Sequence, residues 1–284
     1  MSNDKTVAMF PGDDGHRRGS DNSDKRRCMG CMELYDKKWD LCPHCGYPAN
    51  GKPESPLHMP PGSVLNGRYE IGRVIGYGGF GVTYIAWDPI LRIKVAIKEY
   101  LPSEFSTRAE GQTRITIFTG EKERQFNDGM AKFIDEAKRL AKFQNESGIV
   151  KIFDSFKANG TAYIVMEYLD GETLAQRLER EKTIPADEAI QIMMPVIESL
   201  NHVHEAGILH RDISPDNIFL TKDGKGKLID FGAARFATTT HSRSLTVIIK
   251  PGYSAEEQYR SRGDQGPHTD VYSVGAVLYK MITG

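Results

Sequence analysis

The run GYGGFGVTYIAWD, residues 76–88, limits the fold more than any other stretch of the chain. Its glycines fit G-x-G-x-x-G at Gly76, Gly78 and Gly81, a spacing that opens a helix in dinucleotide-binding folds. The residues after Gly81 argue against a helix here. Val82, Tyr84 and Ala86 alternate with Thr83 and Ile85 in a β-branched and aromatic run with the period of a strand. The glycines are therefore expected in a hairpin, whose bare backbone can lie over phosphate groups. RYEIGRVIG before it and IKVAIKEY after it complete three strands, and the last puts Lys98 where an ammonium can reach phosphate oxygens.

Further along, MAKFIDEAKRLAKFQ (130–144) places Met130, Phe133, Ile134, Ala137, Leu140 and Ala141 on one helical stripe. IVKIFDSF and AYIVMEYL read as strands. After residue 172 the pattern turns helical, with ADEAIQIMMPVIESLNHVHEAG ending at Gly207. The long connection 102–129 carries RITIF, an extra strand candidate. Strands first and helices later, around one cleft, predict an α+β fold of two lobes.

Two more motifs lie in the second half, H-R-D-x-x-x-x-N at His210–Asn217 and DFG at 230–232. With the glycine hairpin and VAIK at 95–98, they make an ordered set that resembles the protein kinase family, specifically bacterial Ser/Thr kinases of the eukaryotic type, over residues 67–284. The resemblance implies ATP and Mg²⁺ as cofactors and protein Ser or Thr hydroxyls as acceptors. It implies that Asp212 takes the hydroxyl proton, that Asn217 and Asp230 hold Mg²⁺, and that Lys98 holds the nucleotide phosphates and is held by a helix glutamate. Asp135 and Glu136 compete for that last role. Glu136 borders the apolar stripe, whereas Asp135 points away from it, so Glu136 is chosen. By the same resemblance Met166 guards the back of the adenine pocket, Glu167 and Leu169 offer main-chain hydrogen bonds to the base, and Val82 and Ala96 cover the ring. His202 and His204, on the helix leading into the catalytic loop, read as packing or hydrogen-bonded histidines rather than ligands.

Two positions depart from the family pattern. Ser214 stands where the family carries a lysine, and Lys250 stands where it usually carries a threonine that touches that lysine. The two look exchanged, and Lys250 joins the candidate catalytic residues. The runner-up reading is a nucleotide-binding pseudokinase scaffold, which Ser214 favours. A third, transfer to a small-molecule hydroxyl, is weaker. Autophosphorylation is expected among Thr238, Thr239, Thr240, Ser242, Ser244 and Thr246. Glu257 resembles a glutamate that pairs with an arginine further along the family's chain. Because the family continues past the helix at VYSVGAVLYKMITG, the sequence reads as a fragment with a partial second lobe, and Glu257 is expected to lack its partner.

All four cysteines fall in C-x₂-C-x₁₀-C-x₂-C, at Cys28, Cys31, Cys42 and Cys45. That spacing resembles a zinc ribbon, four thiolates closing a tetrahedral structural Zn²⁺. The expected organisation is a disordered arm at 1–27, the ribbon at 28–46, a proline-rich linker at 47–63 and the kinase domain at 64–284, with lobes at 64–168 and 169–284. The linker implies a ribbon that folds independently of the rest, and the ribbon is expected to serve interaction or regulation, with a partner protein as its candidate ligand. With 37 basic and 38 acidic side chains, no nucleic-acid partner is indicated. No apolar run is long enough for a membrane span, and the clustered cysteines suit a reducing, cytoplasmic setting.

Overall fold

The computed structural model describes residues 24–231, 249–260 and 263–284. Strands β1 (Lys25–Arg27) and β2 (Leu34–Asp36) form a hairpin around the first cysteine pair. Strand β3 (Val64–Leu65) then opens a six-stranded antiparallel sheet with β4 (Tyr69–Gly78), β5 (Gly81–Asp88) and β6 (Ile93–Tyr100). A small hairpin, β7 (Ser106–Arg108) and β8 (Ile115–Ile117), fills the long connection, so RITIF is a strand. Helix α1 (Glu121–Leu140) follows, and β9 (Ile152–Ala158) and β10 (Thr161–Glu167) close the large sheet in the order β3-β4-β5-β6-β10-β9.

The second lobe begins with β11 (Gly171–Thr173) and α2 (Leu174–Glu181), whose first turn is closed by reciprocal Thr173 and Gln176 side-chain bonds. Helix α3 (Ala186–Glu205) buries Ala189, Ile192, Met193, Val196, Leu200 and Val203 along one stripe and ends where Gly207 turns to φ +69°. Strands β12 (Ile218–Thr221) and β13 (Gly226–Leu228) join β11 in a three-stranded sheet. Helix α4 (Pro267–Thr283) packs on α3. One continuous apolar core runs through both lobes. Ile190, Met194 and Ile197 of α3 and Val271, Tyr272, Tyr279 and Ile282 of α4 stay exposed.

Helix α1 starts nine residues before the apolar stripe read from sequence, because Glu121 and Glu123 favour a helix N-terminus while Phe126 supplies an earlier anchor. The ends of the ribbon also move. Lys25–Arg27, placed in the disordered arm by composition, is strand, recruited by its pairing with Leu34–Asp36.

The proline-rich segment is not a free tether either. Met59 is buried and His58 nearly so. The Met59 N–H donates to the Tyr84 hydroxyl at 3.1 Å, and Leu57 O accepts from Arg108. The ribbon itself lies against the sheet. Arg73 N–H donates to Met29 O at 2.7 Å, Arg73 Nε to Gly30 O at 3.0 Å, and Met32 is buried over Gly72. A Cβ on Gly72 would stand 2.2 Å from Met32 Cε and 2.3 Å from Met29 O, so this contact needs glycine. Arg27 stacks 3.6 Å from the Trp87 ring centroid, and Lys94 pairs with Glu33 at 2.6 Å.

Candidate active site

The glycine hairpin forms as expected, Gly78 opposite Gly81 at its tip. The glycines differ in what they do. A Cβ on Gly81 would lie 2.0 Å from Glu99 O, so Gly81 lets β5 approach β6, whereas around Gly78 and Gly79 nothing lies within 4 Å and the backbone faces open space. Val82 is buried behind the hairpin. Ala96, in the middle of β6, pairs across to Met166 of β10, bringing together two side chains assigned to the adenine pocket. Leu169 packs at the edge of the core. Glu167 has its N–H engaged by Lys151 O at 2.9 Å, so that group is not open to a base, and its carboxylate takes Lys227 at 2.5 Å.

Lys98 and Asp230 meet across the cleft, Nζ to Oδ1 at 2.6 Å. Glu136 is buried on α1 while Asp135 is exposed, the orientation the helical wheel gave, and Lys98 forms an ion pair with Asp230. Asp230 takes φ +59° at the end of β13. Burial works to raise its carboxyl, but the Lys98 ammonium, with Lys250 behind it, outweighs burial and holds it below the usual carboxylate range.

The catalytic loop hangs from α4. Asp270, fully buried, accepts from the N–H of Arg211 at 2.7 Å and of His210 at 2.8 Å, and its Oδ2 lies 2.8 Å from His204 Nε2. Burial pushes that carboxyl up, and these bonds pull it further down, below its ordinary value. His204, one of the two histidines read as packing or hydrogen-bonded, thus orients this anchor. Within the loop Asn217 Nδ2 donates to Asp212 O and to Asp212 Oδ2, both at 2.7 Å. The His210 ring contacts Phe231 at 4.5 Å between centroids. Lys250 Nζ donates to Ser214 Oγ at 2.7 Å, so the two departures from the family pattern touch.

Three supports were missed in the sequence. Gln258 Nε2 donates to Arg211 O at 2.8 Å, and Ser254 Oγ accepts from Lys250 N–H at 2.9 Å; neither carries a sequence signal. The role of Asp270 had one, a lone acid opening the apolar run of α4. Glu257, expected to lack its arginine partner, accepts from Thr269 Oγ1 at 2.6 Å, a local bond that leaves that expectation untouched. The six hydroxyl residues read as phosphorylation sites, and Gly232 of DFG, lie outside the described residues.

A family model described as protein kinase domain matches residues 69–284. The chain belongs to the protein kinase family. The serine/threonine-protein kinase PknB of Mycobacterium leprae is 34% identical over 227 residues, 78% of this chain and 33% of that protein. PrkC of Bacillus subtilis is 33% identical over 224 residues, 78% of this chain and 31% of its own. This kinase chain therefore spans about a third of the length of the curated relatives it matches. A solved structure described as the PpkA-294 apo form superposes with a TM-score of 0.71 at 34% identity, covering 80% of this chain and 79% of that one. It is thus a bacterial kinase of the eukaryotic type.

Ahead of the kinase domain, the four cysteine sulfurs lie within 4.8 Å of one another, with Cys28 and Cys45 at 3.6 Å and Cys31 and Cys42 at 3.8 Å. Thiolates about 2.3 Å from a tetrahedral Zn²⁺ stand about 3.8 Å apart, so the donor set fits that ion. Burial pushes the Cys28 thiol up and the Cys31 thiol up to about 11, whereas at Cys42 burial is outweighed by hydrogen bonds, first from the His44 N–H, which hold the thiol below its ordinary value.

Proposed function

We propose that this kinase transfers the γ-phosphoryl group of ATP to Ser or Thr hydroxyls of protein substrates, with autophosphorylation in the 238–246 segment. The observation that carries the reading is that Lys98 meets Asp230 and Asn217 meets Asp212, the two pairs joined where the Ile229 N–H donates to Asn217 O at 3.0 Å. Phosphoryl transfer asks for positioning and charge neutralisation more than for covalent chemistry, and these residue types supply both. Asp212 accepts the proton of the attacking hydroxyl. Asn217 and Asp230 would hold Mg²⁺, which when bound neutralises phosphate charge. Asn217 spends its Nδ2 on Asp212, and Asp230 spends Oδ1 on Lys98, so Asn217 Oδ1 and Asp230 Oδ2 have no hydrogen bond among the described residues. The Ser/Thr specificity is that of the named relatives. The four-cysteine ribbon, in this reading, holds a structural Zn²⁺ and serves regulation.

The test is full-length protein with labelled ATP and Mg²⁺, offered a Ser/Thr peptide array and a panel of hydroxylated metabolites. Label on Ser or Thr peptides is the expected outcome, and Asp212→Asn should lower the single-turnover rate about 10²–10⁴-fold, the usual contribution of a general base. Nucleotide binding without transfer to any acceptor would make the chain a scaffold instead. Label confined to metabolites would change the substrate class.

A further inference from the structure

Lys250 reaches the catalytic loop by a defined route. Its N–H donates to Ser254 Oγ at 2.9 Å, and its carbonyl accepts from the N–H of both Tyr253 and Ser254 at 3.0 Å. Ser273, on the buried face of α4, then donates to Tyr253 O at 2.8 Å and fastens this turn to the helix. From that anchor the side chain extends over Ser214, itself fully buried. The ammonium sits 2.7 Å from Ser214 Oγ, 3.3 Å from Asp216 Oδ2 and 3.8 Å from Asp212 Oδ1. A solvated surface lysine has no such set of fixed partners.

The two oxygens of Asp212 are not equivalent. Oδ2 is held by Asn217 at 2.7 Å, which leaves Oδ1 as the oxygen open to an incoming hydroxyl, and Oδ1 is the one beside Lys250. The charges point the same way. Asp212, Asp216 and Asp230 gather around the cleft, and among the described residues Lys98 is engaged by Asp230 while Lys250 lies against Asp212 and Asp216. A phosphoryl group arriving next to Asp212 meets a carboxylate, so it needs a cation at that spot.

We propose that Lys250 is a catalytic residue of this kinase, its ammonium neutralising the transferring phosphoryl group beside Asp212 Oδ1 from a turn outside the catalytic loop. The proposal rests on the kinase reading above. In the step, the substrate hydroxyl oxygen forms a bond to the γ-phosphorus and its proton passes to Asp212 Oδ1. The bond from the γ-phosphorus to the β–γ bridging oxygen breaks, and its electron pair leaves with ADP. Ser214, too short to carry charge, makes room for the Lys250 side chain. Ser254 and Ser273 are positioning residues that act through Lys250.

The experiment measures single-turnover transfer from Mg-ATP to a Ser/Thr peptide and to water in the full-length parent, in Lys250→Met, and in Ser214→Lys with Lys250→Ser, which exchanges the two touching residues. Mg-ADP affinity and thermal midpoint are measured on each. Lys250→Met should slow transfer to both acceptors about 10²–10³-fold, the scale of losing one preorganised charge-stabilising group, with ADP affinity and midpoint unchanged. The exchange should recover at least about tenfold of that loss, since it returns an ammonium to the same place. A Lys250→Met protein as fast as the parent would overturn the proposal while leaving the kinase reading intact. So would a rise in peptide KM with unchanged transfer to water, which marks peptide recognition, or a lowered midpoint with no recovery on exchange, which marks a tether. A parent that binds Mg-ADP but transfers to neither acceptor would overturn the kinase reading, and the role of Lys250 with it.

Discussion

His210 shows how much one side chain decides. Its Nδ1 lies 3.2 Å from the Asp212 N–H and must accept, so the ring proton sits on Nε2, which donates to Ile229 O at 3.1 Å. The neutral ring thus ties Asp212 to the strand that leads into Asp230. Burial pushes the pKa of His210 down, against the opposing pull of Asp270 and Asp212. The unfolded chain therefore takes up a proton near the ordinary histidine value of about 6.5 while the folded chain does not, so stability is lost as pH falls through that value. His202, raised by its bond to Glu146, has the opposite sign, but it is exposed and screened. Denaturation from pH 7.5 to 5.5 should show stability falling in the parent, and His210→Phe should flatten that component. A parent and variant of equal slope would show that His210 is not the group responsible.

At the scale of elements, a buried ion pair organises the first lobe. Glu99 of β6 and Arg108 of β7 are both fully buried, the guanidinium donating to both carboxylate oxygens. The hydroxyls of Tyr84 on β5 and Tyr163 on β10 donate to the same carboxylate at 2.9 and 2.7 Å. Arg108 also holds Leu57 O, so the proline-rich segment, the inserted hairpin and three strands meet at one cluster. Breaking such a pair strands a buried charge. Arg108→Met should cost about 3–5 kcal/mol in equilibrium denaturation, and the double variant Arg108→Met with Glu99→Leu should lose less than the single one. Parental stability in the single variant would show that the cluster carries no net load. The sequence displayed Glu99 and Arg108 as ordinary charges, because nothing local says that a hairpin nine residues on folds back over its own strand.

At the scale of the whole molecule the ribbon and the sheet behave as neighbours. The proline-rich sequence argued for independent folding, and the contacts of Arg73, Gly72 and Met32 argue for coupling. A buried methionine alone contributes about 1.5–3 kcal/mol. Zinc analysis of protein purified without chelator should give one ion per chain, and Cys42→Ser should abolish its binding. Chelation should also lower the unfolding midpoint of the kinase domain and speed hydrogen exchange in β4 and β5, the strands beneath the ribbon. Exchange in β4 and β5 unchanged by metal removal would restore the independent ribbon. Gly72→Val should loosen the same contact with the zinc still bound, separating docking from metal loading.

The sequence by itself determined the two-lobed architecture, the glycine hairpin and the order of the catalytic residues, because strand and helix periods and short motifs are local properties of the chain. It also named Lys250 and Ser214 as a pair, through two departures whose contact at 2.7 Å spans 36 residues. Tertiary structure alone decided which partner each charge takes. Lys98 meets Asp230, Glu257 meets Thr269, Asp270 holds the main chain of His210 and Arg211, and Met32 lies over Gly72. Spacing along a chain fixes which face a side chain leaves from. What it meets depends on where another segment is packed, and that follows from burial and hydrogen bonding summed over the whole fold.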